Sequence, residues 1–450
     1  MKIVIISILS STVAVFILHE LLSYILNKLF YGLDKKIPSI LHKCKRKKIQ
    51  SFYNVINTES YKDFEKEYLG SYYGEEFFTD TKYGKIPVFS TFYANTNDDR
   101  PKNIRYYDFL ALNSKGSFAF NPKDHQNYRN NKCFRKYYQI VGENIKNPDR
   151  PGFMLDKLIL NDNNEMTGFE GYIGTYAENV YSVHILEYEL YNLYKKYPNK
   201  SMNYLIEKSY LRNYIHQEAI SSRGASKFNE KMKESLINGK NRDSLLSVQM
   251  LVLLKNGDDY NIKIIQRSIS VAIDPGRFQI VPSGGFEVFN DSVAGYSTFE
   301  IKDNYSPGMA VFREYLEEIF GEEEFEGKGT GSVSEILLKN PRIREIEKML
   351  LEGKAEFLFL GSVMDLRFLR QELSFVLVIH DENYDRENQF LGNDESSNQQ
   401  FVPNISISNF ENEKEVWRKL HGPSAAMWEL FKKTDLYRRL IRWEIIHEMK

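Results

Sequence analysis

Cysteine is nearly missing from this chain: its 450 residues include two, Cys44 and Cys133, in different regions and without metal-ligand spacing. No disulfide framework or zinc site can be assembled from them, and so few cysteines suit a reducing compartment. An excess of charge of either sign is also missing. The 60 Lys and Arg residues nearly cancel 61 Asp and Glu, leaving a net charge of −1, so the overall balance gives no argument for a DNA or RNA partner. Local charge carries the information instead. No internal repeat is visible. At about 100–200 residues per domain, the length allows two or three domains and a sizeable core.

One long apolar run is present. Residues from Ile3 to Leu18 carry no charge, and after His19 and Glu20 the apolar character resumes through "LLSYIL" to Leu26. Together they reach the roughly 20 residues that a helix needs to cross a bilayer, whereas a signal peptide would have an apolar core of about 7–15 residues and a small-residue cleavage site. A transmembrane helix is therefore expected within residues 1–31. The flank over residues 32–50 holds Lys35, Lys36, Lys43, Lys45, Arg46, Lys47 and Lys48 against Lys2 on the other side. That asymmetry predicts a single-pass protein with its N-terminus outside and its body in the cytoplasm. The basic tract is either a headgroup-binding segment or a solvated linker. Ser7, Ser10 and Ser11 share one helix face, as a packing stripe or as lipid-tolerated serines.

Residues 51–240 read as a mixed α/β region; its stretch from 51 to about 160 is rich in Tyr and Phe, which serve as core residues more often than as base-stacking platforms. Helical periodicity runs from Asn179 to Pro198 and from Lys227 to Gly239, and the charged turn that follows marks a boundary near residue 240. Beyond it, "SVQMLVLLKNGDDYNIKIIQRSISVAI" predicts two strands around an Asn-Gly turn. "RFQIVPS" is a further strand, "KAEFLFLGSVMDLRFLRQELSFVLVIH" gives two more, and the chain closes in helices. Residues 241–450 are thus expected to form a mixed sheet with helices against it.

The chemistry concentrates at Gly284, Gly285 and Glu287, and again at "REYLEE", Arg313 to Glu318. Ser306 is the expected N-cap of the helix and Pro307 its first residue. Glu314, Glu317 and Glu318 recur at i, i+3 and i+4, so their carboxylates share one helix face and could hold Mg²⁺ against a pyrophosphate. Arg313 would tie the helix to the loop through Glu287. The competing reading is an ordinary amphipathic helix, with Met309, Phe312, Leu316, Ile319 and Phe320 inside and the glutamates in water. Arg267, Arg277, Phe278 and Arg367 lie on or beside predicted strands and are candidate phosphate and stacking contacts.

The order hairpin, strand, "GGFE", "REYLEE" helix, strands and C-terminal helix resembles a Nudix domain over residues 241–450, an α/β/α sandwich on a mixed sheet. In that family the two half-motifs are joined by a short loop. Here "VFNDSVAGYSTFEIKDNY" intervenes, Glu300 is the available counterpart of the loop glutamate, and two residues rather than one separate Glu318 from Gly321. These departures point away from catalysis, with no cofactor required and Mg²⁺ admitted. Joined to a membrane helix, such a domain resembles the single-span Nudix effectors of cyclic-oligonucleotide antiphage signalling (CBASS). The resemblance implies an inner-membrane antiviral-defence protein that binds a cyclic oligonucleotide, forms homo-oligomers and disrupts the bilayer. Two alternatives stand beside it: a membrane-tethered, Mg²⁺-dependent hydrolase of nucleoside diphosphate derivatives, and a membrane-anchored protein-binding scaffold.

Overall fold

The computed structural model describes residues 51–94, 137, 150–268, 276–288, 304–322, 337–384, 396–402 and 405–448. Helix α1 (Glu59–Tyr73) begins on Thr58, whose hydroxyl accepts from the Tyr61 N–H, and buries Tyr61, Tyr68, Leu69, Tyr72 and Tyr73 along one face. The short strands β1 (Thr79–Thr81) and β2 (Gly84–Ile86) lead into β3 (Val88–Phe92). A hairpin of β4 (Pro151–Leu160) and β5 (Met166–Thr175) comes next. Four helices then form one layer: α2 (Ile185–Lys196), α3 (Met202–Lys208), α4 (Tyr210–Ile215) and α5 (Ala225–Ile237). Strands β6 (Ser247–Asn256), β7 (Asp259–Ile262), β8 (Ile264–Arg267), β9 (Phe278–Ile280) and β10 (Ser283–Gly285) precede helices α6 (Pro307–Phe320) and α7 (Pro341–Leu351). The remaining elements are β11 (Ala355–Asp365), β12 (Arg370–Ile379), β13 (Ser396–Phe401), α8 (Gly422–Lys432) and α9 (Asp435–Glu448).

The main sheet has six strands, in the order β10-β6-β12-β11-β3 with β7 paired to the far half of β6. The β6–β12 pairing is parallel and its other pairings are antiparallel. Because both faces are covered, its central strands read as unbroken apolar runs rather than as alternation. Val248, Met250, Val252 and Leu254 of β6 join one core with α6 and α7, while Leu251 and Leu253 join the opposite core with α8. Each such side chain contributes about 1.5–3 kcal/mol of burial. The Asn-Gly hairpin forms between β6 and β7, with Gly257 at φ 63°. The chain then breaks at Lys263, and β8 pairs into a separate three-stranded sheet, β13-β8-β9.

Strand β3, from before residue 240, pairs with β11 at the edge of this sheet. A bulge between Phe359 and Gly361 adjusts the register of β11. Gly361 has φ 131°, and a Cβ there would strike the Thr91 carbonyl of β3, so both conformation and space require glycine. The helical layer forms a third core that includes Met364, Leu366 and Leu369 from the end of β11 and the turn after it. Arg212, 1% exposed, fastens the layer there. Its guanidinium donates to the Tyr73 hydroxyl at 2.6 Å and to the carbonyls of Leu366 and Arg367 at 2.7 and 2.9 Å.

The transmembrane helix expected within residues 1–31, its basic flank to residue 50 and the serine stripe lie outside the described residues. Among the described residues no helix is long and apolar enough to cross a membrane; the longest α-helix, α1, has 15 residues. The expected class, with an N-terminal transmembrane helix, is therefore corrected to a mixed α/β fold. The readings built on that helix are corrected with it: the bilayer as partner, the single-pass inner-membrane location, and the membrane-anchored effector, hydrolase and scaffold.

Helix α9 packs Leu436 and Leu440 into the core with α8 and is tied to β11 by one carboxylate. Glu356 of β11 accepts from Arg439 at 2.6 Å and contacts His380 at 3.1 Å. Burial works against its charge, but the hydrogen bonds from His380 and Arg439 hold its carboxyl down at about 2. A depressed carboxylate stabilises the fold above its unfolded-state value and loses that contribution as pH falls through the folded one. Glu356→Gln is expected to cost about 1–3 kcal/mol at pH 7 and to flatten the loss of stability between about pH 4.5 and 2, as read by urea unfolding across that range. An unchanged acid-side slope would refute this role.

Candidate functional site

Helix α6 carries the second half of the motif. The Ser306 hydroxyl accepts from the Met309 N–H at 3.2 Å and Pro307 occupies the first turn. At the other end Gly321 adopts φ 66°, and the Glu322 N–H reaches back to the Leu316 carbonyl at 3.1 Å, closing the helix with a left-handed cap. The additional residue before that glycine, Phe320, is buried beneath the Arg342 guanidinium, which lies 3.7 Å from its ring centroid. The longer spacing thus adds a core residue to the helix end.

The glutamates do not form a solvated face. Glu314 and Glu318 are 8% and 5% exposed, and Arg313 between the turns is 3% exposed. The Arg313 guanidinium donates to the Gly285 carbonyl at 2.9 Å, pairs with Glu314, and has Glu317 at 3.8 Å. Burial alone would weaken its charge, but Glu314, then Glu317 and Glu287, outweigh it and keep the group protonated. Glu318 accepts from the backbone N–H of Ser283 at 2.6 Å. Helix and loop are therefore joined twice, at Gly285 through Arg313 and at Ser283 through Glu318.

The sequence reading gave Glu287 the task of holding Arg313. Glu287 contributes to the field there, but its carboxylate is ion-paired to Arg150 at 2.8 Å, on the approach to β4. The glycine pair is explained by proximity. A Cβ on Gly284 would fall on the Glu314 carboxylate, and one on Gly285 would meet Glu287 Oε1 at 2.8 Å. The donor set does not fit Mg²⁺ in this arrangement, because Glu314 turns to Arg313 and Glu318 to a backbone N–H. Among the described residues no group of three or more His, Cys, Asp or Glu is placed to hold a metal ion. Glu300 lies outside the described residues.

The candidate ligand contacts separate. Arg267 and Arg277 are neighbours across β8 and β9, with the Arg267 N–H donating to the Arg277 carbonyl at 2.8 Å just beyond the Gln266–Phe278 pair. The Arg267 side chain donates to Gln279, Gln279 donates to the Ser283 hydroxyl, and Ser283 meets Glu318. This relay connects the basic pair to the motif helix. Phe278 packs at the edge of the core under α8, and Arg367 is held by Asp365 at 2.5 Å beneath the helical layer. Arg150, Gln279 and Ser283 were not anticipated. The polar Gln279 in the otherwise apolar "FQIV" was a usable signal; nothing near Arg150 in sequence marks its partner.

No family model matches the chain, and no curated protein matches it. Among solved structures, a bifunctional NMN adenylyltransferase/ADP ribose pyrophosphatase from Francisella tularensis aligns over 54% of this chain and 52% of its own, at 13% identity and a TM-score of 0.22. The chain thus spans about half the length of that structure, and a likeness this weak carries no argument for fold or activity. The expected Nudix family membership is corrected accordingly, and with it the CBASS antiviral-defence effector, its cyclic-oligonucleotide ligand and its ligand-driven oligomer. The interrupted motif does not match any family model, and its glutamates are engaged within the fold.

If Arg313 is what makes burial of these carboxylates tolerable, Arg313→Ala should cost about 3–5 kcal/mol, the usual penalty for breaking a buried pair. Arg313→Met combined with Glu314→Gln and Glu317→Gln should recover most of it. Urea unfolding of the two variants measures this, and a triple variant no more stable than Arg313→Ala would contradict the clamp.

Proposed function

We propose that this protein is a binding protein for a phosphate-bearing small molecule, held at Arg267 and Arg277, and that Arg313 with its glutamates is the clamp that fixes the site rather than a hydrolytic centre. The observation that carries the reading is that Arg267 and Arg277 are backbone neighbours where β8 meets β9, the Arg267 N–H donating to the Arg277 carbonyl at 2.8 Å, with the Arg267 guanidinium at Gln279 and that of Arg277 3.4 Å from the Leu420 carbonyl. Two arginines so close along the backbone can both reach one anion, and guanidinium donors are suited to phosphate oxygens. The Gln279–Ser283–Glu318 relay holds Arg267 against α6. It thereby couples the geometry of the site to the clamp. Phe278 is assigned to the core.

Calorimetric titration with ADP, and separately with inorganic phosphate, tests this at low and moderate salt. Each charge-assisted contact contributes about 1.5–3 kcal/mol, so Arg277→Ala is expected to weaken ADP binding by about 10- to 100-fold. Arg267→Ala, which also breaks the relay, should weaken it at least as much. Added salt should reduce the affinity of the unaltered protein. Absence of binding, or affinity indifferent to both substitutions, would sink the proposal.

A further inference from the structure

A second site lies in the helical layer, away from the motif. Between α2, α3 and α4 there is a cavity of about 460 Å³, within the roughly 300–1,000 Å³ typical of small-molecule pockets. One wall is a single stripe of α2, in which Tyr188, Glu189 and Lys196 recur at helical spacing, and the opposite wall includes Lys208 and Tyr210. Tyr188 is 8% exposed and offers an aromatic wall, whereas Tyr210 is 72% exposed. Lys196 and Lys208 are both exposed. The acidic residue of the pocket is already committed: the Glu189 carboxylate accepts from the backbone N–H groups of Leu211 at 2.6 Å and Arg212 at 3.2 Å. With that charge engaged inside, the lining holds two lysines and tyrosine rings, the Lys208 ammonium resting 5.4 Å from the neighbouring Tyr204 ring, from which it can turn to an occupant.

We infer that this pocket binds a planar aromatic molecule bearing an anionic group, its ring against Tyr188 and Tyr210 and its charge at Lys196 and Lys208. The volume suits one such molecule, rings suit a flat apolar body, and lysines suit an anion as compact point charges. Nothing in the Arg267–Arg277 site is required, so the two sites are separable. The pocket also shares a structural member with the fold, because Glu189 binds the backbone of Arg212, the residue that pins the layer to the turn after β11.

The test uses 2-naphthoate as probe, titrated into the full chain and into the Arg267→Ala, Arg277→Ala variant, with neutral 2-naphthol and aliphatic decanoate as comparisons. Naphthoate is expected to bind both proteins alike. Tyr210→Ser and Lys208→Glu, both at exposed positions, should each weaken it at least 5-fold without changing the urea midpoint. No binding, or binding unaffected by these two substitutions, would overturn the proposal. Loss of binding in the Arg267→Ala, Arg277→Ala variant would place the anion at the other site and overturn it too. Equal affinity for naphthol would remove the anionic requirement, and equal affinity for decanoate the aromatic one.

Discussion

A buried guanidinium sets the terms for this site. Removing Arg313 from water costs several kcal/mol unless opposite charge is supplied at close range, and the sequence supplies it one residue and one turn along the same helix. Glu314 and Glu317 are consumed in that compensation, and the Gly285 carbonyl completes it from the loop. The absence of a side chain at Gly284 follows, since the Glu314 carboxylate fills that space. So does the reading of function: carboxylates that neutralise an internal cation are not disposed to gather an external one.

The same logic recurs at the end of β11. Arg212 is buried with its donors satisfied by Tyr73 and two carbonyls of the turn after β11, which makes the helical layer and the sheet one packed unit at that point. Its neighbour His216 is kept well below the ordinary imidazole range by burial and by Arg242 and Arg212, and it bridges the Tyr73 hydroxyl and Ser235. Two buried arginines therefore fasten the sheet to what covers it, one through α6 and one through α4. The apolar cores supply most of the burial energy, while these polar contacts fix which surfaces meet.

Much of the architecture was legible from local pattern. The apolar runs of β6, β11 and β12, the Asn-Gly turn and the Ser306-Pro307 start of α6 each carry their own physical signal in a short window. Contacts between distant segments carry none. Nothing in "SFYNVINTESY" or "KIPVFSTF" announces that β3 closes the edge of a sheet formed largely after residue 240, or that Arg150 holds Glu287. Helical spacing puts Glu314, Glu317 and Glu318 on one side of the helix, yet spacing cannot tell a solvated face from one closed by a loop. The backbone of Gly284 and Gly285 pressing against that face decides it. The long apolar stretch at the N-terminus invited a membrane account to which the described fold contributes no spanning helix.

The central claim, that the glutamates near the basic pair are a clamp and that the neighbouring arginines bind phosphate without cleaving it, is most directly tested by phosphorus NMR of ADP with this protein and Mg²⁺. The account predicts that the ADP resonances shift or broaden in proportion to protein and that no AMP or orthophosphate signal grows with time. Protein-dependent growth of those product signals, abolished by Glu317→Gln and Glu318→Gln, would contradict it.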